Sequence, residues 1–353
     1  MVQVSLGLLM DIFGWLDKEF YQTGCFFPLN KKDQFILAKG GSWKDQPSMS
    51  DIQFEIRDFY HHEKKYYHPD QIITASLNHI HAALPQDSPS FQLFDEQRFE
   101  DKFQKDFNLY QTALPELKKA VLMSRLEYTV YRPEDLKKHA IYKAFFTTIG
   151  EPYGFWEKNY ALIGSTPEIL FDCEGDLIKS FALAGTAPVS EGDELLLCNK
   201  NRHEHDLVIK DIMEDLWPFC LEVESFKTET APYGRLVHLK TLIEGKLKTN
   251  FNSDKLISAM SPTAALGGYP RQKAKHFLLR TEYYKAFPKR FHGSVFKVSY
   301  DNSERSLVMI RNIQINENKL ILEAGAGVVD ASIEMSELNE IYQKIEAIRD
   351  VLL

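Results

Sequence analysis

The chain has 353 residues, 44% of them hydrophobic and 26% charged, with 42 Lys and Arg against 50 Asp and Glu, for a formal net charge of −8. That is ample apolar material for a large core, in one big domain or two smaller ones. The acidic balance implies no basic face and argues against a nucleic-acid partner. An anionic small molecule would need its own local cluster of cations and N–H groups. Cys25, Cys173, Cys198 and Cys220 are widely spaced and form no Cys-x-x-Cys metal pair, so reduced thiols in a cytoplasmic protein are expected.

The N-terminal MVQVSLGLLMDIFGWLDKEF has a short apolar run without a basic leader or small-residue cleavage pattern, and reads as a core strand or helix. No apolar run approaches the length of a membrane span. Residues 1–90 read as mixed strands and turns, with alternation over 51–60 marking a strand. The polar stretch 61–71 reads as a loop before a helix starting near Pro69. His61, His62 and His68 lack regular ligand spacing and supporting carboxylates, which favours a solvated loop over a metal site.

Phe99, Phe103, Phe107 and Tyr110 mark an amphipathic helix whose aromatic stripe faces the core. A strand over 119–130 and a helix over 133–146 follow. Strands are expected at 160–164, 168–172 and 176–182, and a long helix at 201–216. Further strands are expected at 237–242, 293–300, 307–314 and 319–324. Hairpin-like spacing with interspersed helices indicates an α+β fold with antiparallel sheets.

The most telling stretch is 322–344, LEAGAGVVDASIEMSELNEIYQK. Glu337, Glu340 and Lys344 fall near one face of its helix, beside the buried positions Ile341, Ile345 and Ile348. Carboxylates at the edge of an apolar stripe are costly unless a cation or donors satisfy them. Gly325 and Gly327 let a backbone approach a ligand and offer N–H groups to an anion. A glycine turn feeding a solvated helix fits this segment equally well. Glu204 precedes Val208 and Ile212 by four and eight residues, so it projects from a buried stripe. It is either a metal ligand or a glutamate satisfied by its helix N-terminus. Arg311, taken alone, reads as a surface charge on a strand, and His238 as a core or a pocket histidine.

Five ordered segments join this reading: Ser165-Thr166-Pro167-Glu168, residues 183–188 (LAGTAP), residues 200–205 (KNRHEH), residues 261–271 (SPTAALGGYPR) and the stretch 322–344. In this order they resemble the chorismate-utilising enzymes: isochorismate synthases, salicylate synthases, anthranilate synthase large subunits and aminodeoxychorismate synthases. The resemblance covers roughly Lys119 to the C-terminus, about two-thirds of the chain. It implies a chorismate-binding fold like that of the anthranilate synthase large subunit, with two facing α/β subdomains and the active site between them. Residues 91–353 would form the chorismate-binding catalytic region, and residues 1–90 a divergent N-terminal part of the same domain.

The resemblance also implies a site. Glu204 and Glu340 match magnesium-binding glutamates, and Glu337 a nearby acidic position that contributes directly or through water. Magnesium suits one or two carboxylates, substrate oxygen and retained waters. The ring carboxylate of chorismate would close the metal shell and Arg311 would hold the enolpyruvyl carboxylate. Gly325 matches the anion-binding turn, Lys344 a site lysine, Gly185 and Thr186 the ring-hydroxyl side, and His238 a pocket histidine. Lys119 matches the general base, which must be neutral to act. The sequence KKAVLMSR is one residue longer than the usual pattern up to its arginine, so Lys118 is the runner-up. Glu168 matches the general acid and must stay protonated near neutrality.

Ala265 stands where amine-forming relatives place threonine or serine, and the 183–188 segment lacks the lysine of aminodeoxychorismate synthases. Water is therefore the expected nucleophile and isochorismate synthase, an isomerase, the expected activity. Salicylate synthase, which also eliminates pyruvate, and a degenerate non-catalytic homologue are the alternatives. Ser261, Phe291 and Phe296 depart from the isochorismate pattern, the last as a residue able to narrow the pocket. A cytoplasmic monomer without membrane or nucleic-acid partners is expected.

Overall fold

Among the described residues, strands with alternating or continuous burial assemble into two sheets, one of eleven strands and one of ten. The computed structural model describes residues 3–4, 12–31, 33–84, 89–113 and 116–353. Within the apolar N-terminal stretch, Gln3–Val4 is a strand and Ile12–Trp15 a helical turn, and residues 5–11 lie outside the described residues. Pairing is antiparallel throughout except where Gln3–Val4 runs parallel to Gln71–Ser76.

The N-terminal region is woven into both sheets. Gly24–Pro28, Gln34–Lys39 and Gln71–Ser76 belong to the larger one; Ser42–Lys44, Gln53–Arg57 and Lys64–His68 belong to the smaller. The expected loop over 61–71 is therefore corrected, because 64–68 is a strand. Its polar look comes from partial burial near the sheet edge, while Tyr67 points inward and stacks on Trp43 at 5.0 Å. No helix begins near Pro69. The β-branched Ile72, Ile73 and Thr74 continue as strand, and the helix starts at Leu77, where the Ser76 hydroxyl caps the His79 N–H.

Other elements follow local chemistry. Pro133–Phe146 begins with proline at the first turn and Glu134 and Asp135 against the positive helix end. It buries Leu136, Ala140, Ile141, Ala144 and Phe145 on the larger sheet. Phe103, Phe107 and Tyr110 enter the same core from Glu100–Ala113. Asn199–Leu216 packs Val208, Ile212 and Leu216 on the smaller sheet.

A third core joins the two sheets. There Phe296 is fully buried, edge-on to Phe27 at 5.0 Å and to Phe155 at 5.8 Å. It packs between sheets and does not line the cleft described below, which corrects its expected role in narrowing a pocket.

Two crossovers set the site. Tyr160–Thr166 lies in the larger sheet and Ile169–Glu174 in the smaller, so Pro167-Glu168 carries the chain between them. The strand expected over 307–314 is in fact two. Ser303–Val308 ends in the smaller sheet and Asn312–Asn316 begins in the larger. The break falls at Met309–Arg311, where Arg311 adopts a left-handed φ of 55° that no straight strand can carry. The crossovers are tied together: Ser165 N–H donates to the Arg311 carbonyl at 3.1 Å, and Val308 N–H to that of Glu168 at 3.0 Å.

Candidate active site

Glu168 and Arg311 both face a cleft of about 640 Å³ where the sheets meet. Gly185, Thr186, Glu204, His238, Ala265, Gly325 and Lys344 line it with them. Lys119 and Glu340 stand behind this lining, paired with its Glu204 and Lys344, and Glu337 pairs with Lys200 further back. Nine of the expected site residues line this cavity, and Lys119, Glu337 and Glu340 do not.

Lys119 opens the Lys119–Tyr131 strand and is fully buried, whereas Lys118 points to solvent. Lys118 lies just before the strand, which is buried on both faces from Lys119 onward. The Lys119 ammonium lies 3.0 Å from Glu204 Oε1. Two neighbouring pairs repeat the pattern: Lys200 with Glu337 at 2.5 Å and Lys344 with Glu340 at 2.6 Å. Burial opposes the charge on Glu204, but Lys119, Lys344 and Lys200 outweigh it and hold its pKa below the ordinary value. Burial and the adjacent Glu340 act together on Glu337 and push its pKa up against Lys200.

Glycine is required beside this group. A Cβ on Gly327 would sit 2.1 Å from Glu204 Oε1, and one on Gly325 2.6 Å from Met123 Sδ. The Lys344 ammonium also donates to the Gly325 carbonyl at 2.7 Å. That carbonyl faces the lysine, so the expected anion-binding backbone at Gly325 is engaged from this side by a cation.

The other end of the cleft differs. Arg311 is 5% exposed, and His238 Nε2 lies 3.1 Å from its Nη2. Arginine only donates, so Nε2 accepts, and the proton sits on Nδ1, 3.1 Å from Thr186 Oγ1. Burial, then Arg311 and Lys344, push the His238 pKa well down, so the ring is neutral. Gly185 takes φ 74° at the register shift between Ala184 and Thr186, turning Thr186 toward the histidine. Burial raises the Glu168 carboxyl to about 7, although Thr263, Lys119, Arg311 and Lys344 pull it down. Thr263 Oγ1 donates to Glu168 Oε1 at 3.3 Å.

Sequence reasoning missed Lys200, Thr263, His292 and Glu323. Lys200 had a signal, standing one helical turn before Glu204. Glu323 interrupts the apolar run before Ala324 and lines the cleft. There it accepts from the Tyr283 hydroxyl and from Gln314 Nε2 at 2.6 Å. His292 also lines the cleft, and burial pushes its pKa down to about 4. Nothing in its sequence context marks it.

Among the described residues, no three His, Cys, Asp or Glu side chains are close enough together to cage a metal unaided. The donor set still fits magnesium. Its groups are carboxylates, and Glu337 Oε2 is buried without a hydrogen-bond partner. Lys200 lies in the field of Glu337, Glu340 and Glu204 together, so the three carboxylates share one neighbourhood.

A buried acid, a buried lysine and paired carboxylates converging on one cleft define a site for a polar, anionic small molecule. The family model for chorismate binding enzymes matches residues 56–353. The chain belongs to that family. Isochorismate synthase MenF of Haemophilus influenzae is 35% identical over 202 residues, 54% of this chain and 46% of that protein. The MenF of Pasteurella multocida is 33% identical over 196 residues, 52% of this chain and 45% of that protein. The chain spans about half the length of these curated relatives. The solved structure of MenF, the menaquinone-specific isochorismate synthase from Escherichia coli, matches with a TM-score of 0.82. That match covers 98% of this chain and 92% of that one at 20% identity, a likeness of fold. No helix among the described residues is long and apolar enough to cross a membrane.

Proposed function

We propose that the protein is an isochorismate synthase, converting chorismate to isochorismate with magnesium as cofactor. One observation carries the reading. A carboxyl group raised to about 7 and a fully buried lysine serve the same cleft from different chain segments. Arg311 receives the enolpyruvyl carboxylate, for which its otherwise unpartnered Nε is available. His238, neutral, stays with Arg311 and orients it without competing for the anion. Lys119, an ammonium beside Glu204 here, must first give up a proton, and as the neutral amine it takes one from the water that adds at carbon two. Glu168 gives its proton to the carbon-four hydroxyl, which leaves as water while the ring double bonds shift. Thr263 holds the Glu168 carboxyl in place for that transfer.

Glu204 and Glu340, with Glu337, would hold the magnesium ion, which when bound supplies positive charge to the ring carboxylate. Ala265 places a methyl group where a side-chain hydroxyl would otherwise assist an amine, so water is the nucleophile. The enzyme is a cytoplasmic monomer in this reading, and its product enters menaquinone or siderophore synthesis.

Incubation with chorismate, magnesium and ammonium, followed by chromatography, tests the assignment. Isochorismate as the main product is expected. An aminodeoxy product or anthranilate overturns the nucleophile. Stoichiometric salicylate and pyruvate would identify a salicylate synthase, and no turnover a non-catalytic homologue.

A further inference from the structure

The segment 261–278 turns one side to the cleft and the other to a second cavity of about 780 Å³. Arg271, Lys275, His61, Ser258, Ser261 and Gln272 supply the polar part of its lining, and no Asp or Glu takes part. In a chain of net charge −8 that is an unusual wall. Three nitrogens on these side chains are buried without a hydrogen-bond partner: Arg271 Nε, Arg271 Nη1 and His61 Nε2. Asp211 and Asp215 engage Arg271 only through Nη2, the former at 2.6 Å. Lys275 is partly buried, and among the described residues no carboxylate pairs with it. His61 holds a left-handed φ of 60°. Burial, with Arg57, Lys275, Arg271 and His62 around it, pushes its pKa down to about 4.

Buried donors left unpaired are costly, and native structures rarely keep several in one place without a ligand or water to satisfy them. Arg271 keeps Nε and Nη1 unpaired beyond its two aspartates, and Lys275 has no carboxylate partner among the described residues; such donors suit an oxyanion. We propose that this cavity binds a small oxyanion, a phosphate or an organic carboxylate, through Arg271, Lys275 and His61. The site lies outside the catalytic cleft and does not rest on the activity proposed above. It abuts functional chain all the same. Ala264 N–H donates to Asp211 at 2.9 Å, and the neighbouring Thr263 holds Glu168.

Isothermal titration of the full chain with inorganic phosphate, and separately with benzoate, tests this at ionic strength fixed with potassium chloride. Arg311→Ala removes the main cation of the catalytic cleft and separates the two sites. One anion should bind one-to-one, with equal affinity for the parent protein and Arg311→Ala. Lys275→Gln should weaken it about tenfold or more. The tighter of the two anions identifies the natural class. His61→Gln provides the same reading should Lys275→Gln melt at a lower temperature. Absence of heat from both anions overturns the proposal. So does unchanged affinity in Lys275→Gln, or binding lost in Arg311→Ala.

Discussion

The two ends of the cleft are electrically unlike. At one end Glu204, Glu337 and Glu340 each hold a lysine, at 3.0, 2.5 and 2.6 Å. Their charges cancel in pairs, and burial is tolerated because each carboxylate has its counterion. At the other end Arg311 is buried with a neutral histidine and a Tyr233 ring 5.0 Å away, and among the described residues no carboxylate lies within ion-pair distance. Burial itself lowers the Arg311 pKa. The contrast gives the cleft a direction. The unpaired end suits the anion and the paired end the magnesium ion of the proposed reaction.

The largest effect should come from the paired end. Glu204→Ala and Glu340→Ala should abolish turnover and remove magnesium-coupled chorismate binding, read by titration calorimetry; full activity in Glu340→Ala would remove that residue from the metal site. Next come the proton carriers. Lys119→Ala and Glu168→Gln should each cost about a hundred- to ten-thousand-fold in kcat. Lys118→Ala, exposed just before the strand, should stay within about twofold. The reverse ranking of the two lysines would place the base on the wrong residue.

A smaller effect is expected from pH. Glu168 ionises near 7 in the folded chain against an ordinary value of 4.5. As the acid, it should make kcat/KM fall about tenfold per pH unit above that value. Its contribution to stability is complete below 4.5 and lost as pH rises through about 7, on the order of 3 kcal/mol. Thermal melts of Glu168→Gln should therefore lack that part of the decline between pH 4.5 and 7.

The smallest shift breaks the comparison most directly. Arg311→Met removes a buried cation that lacks a carboxylate partner, so it should raise stability by about 1 kcal/mol while losing chorismate-induced stabilisation. A clear loss of stability would mean that His238 and Tyr233 satisfy the guanidinium fully.

Much of this contrast was legible in the sequence. Three- and four-residue spacing placed Glu337, Glu340 and Lys344 together, and the helix expected over 133–146 is found at those bounds. Sheet membership was not legible, because buried strands of either sheet show the same alternation. The break at 309–311 was hidden for a related reason: Arg311 looks like any strand residue, and no glycine advertises its left-handed backbone. The strand over 64–68 was masked by lysines near a sheet edge. His292 could not be found at all, since its burial depends on two crossovers distant in sequence.

Those crossovers carry one more consequence. Backbone hydrogen bonds from Ser165 to Arg311 and from Val308 to Glu168 fix the acid and the arginine as one unit. Motion of either sheet carries both groups along, so the span between them works as a gauge. In the proposed reaction, that span would match the reach from the departing hydroxyl to the side-chain carboxylate of chorismate.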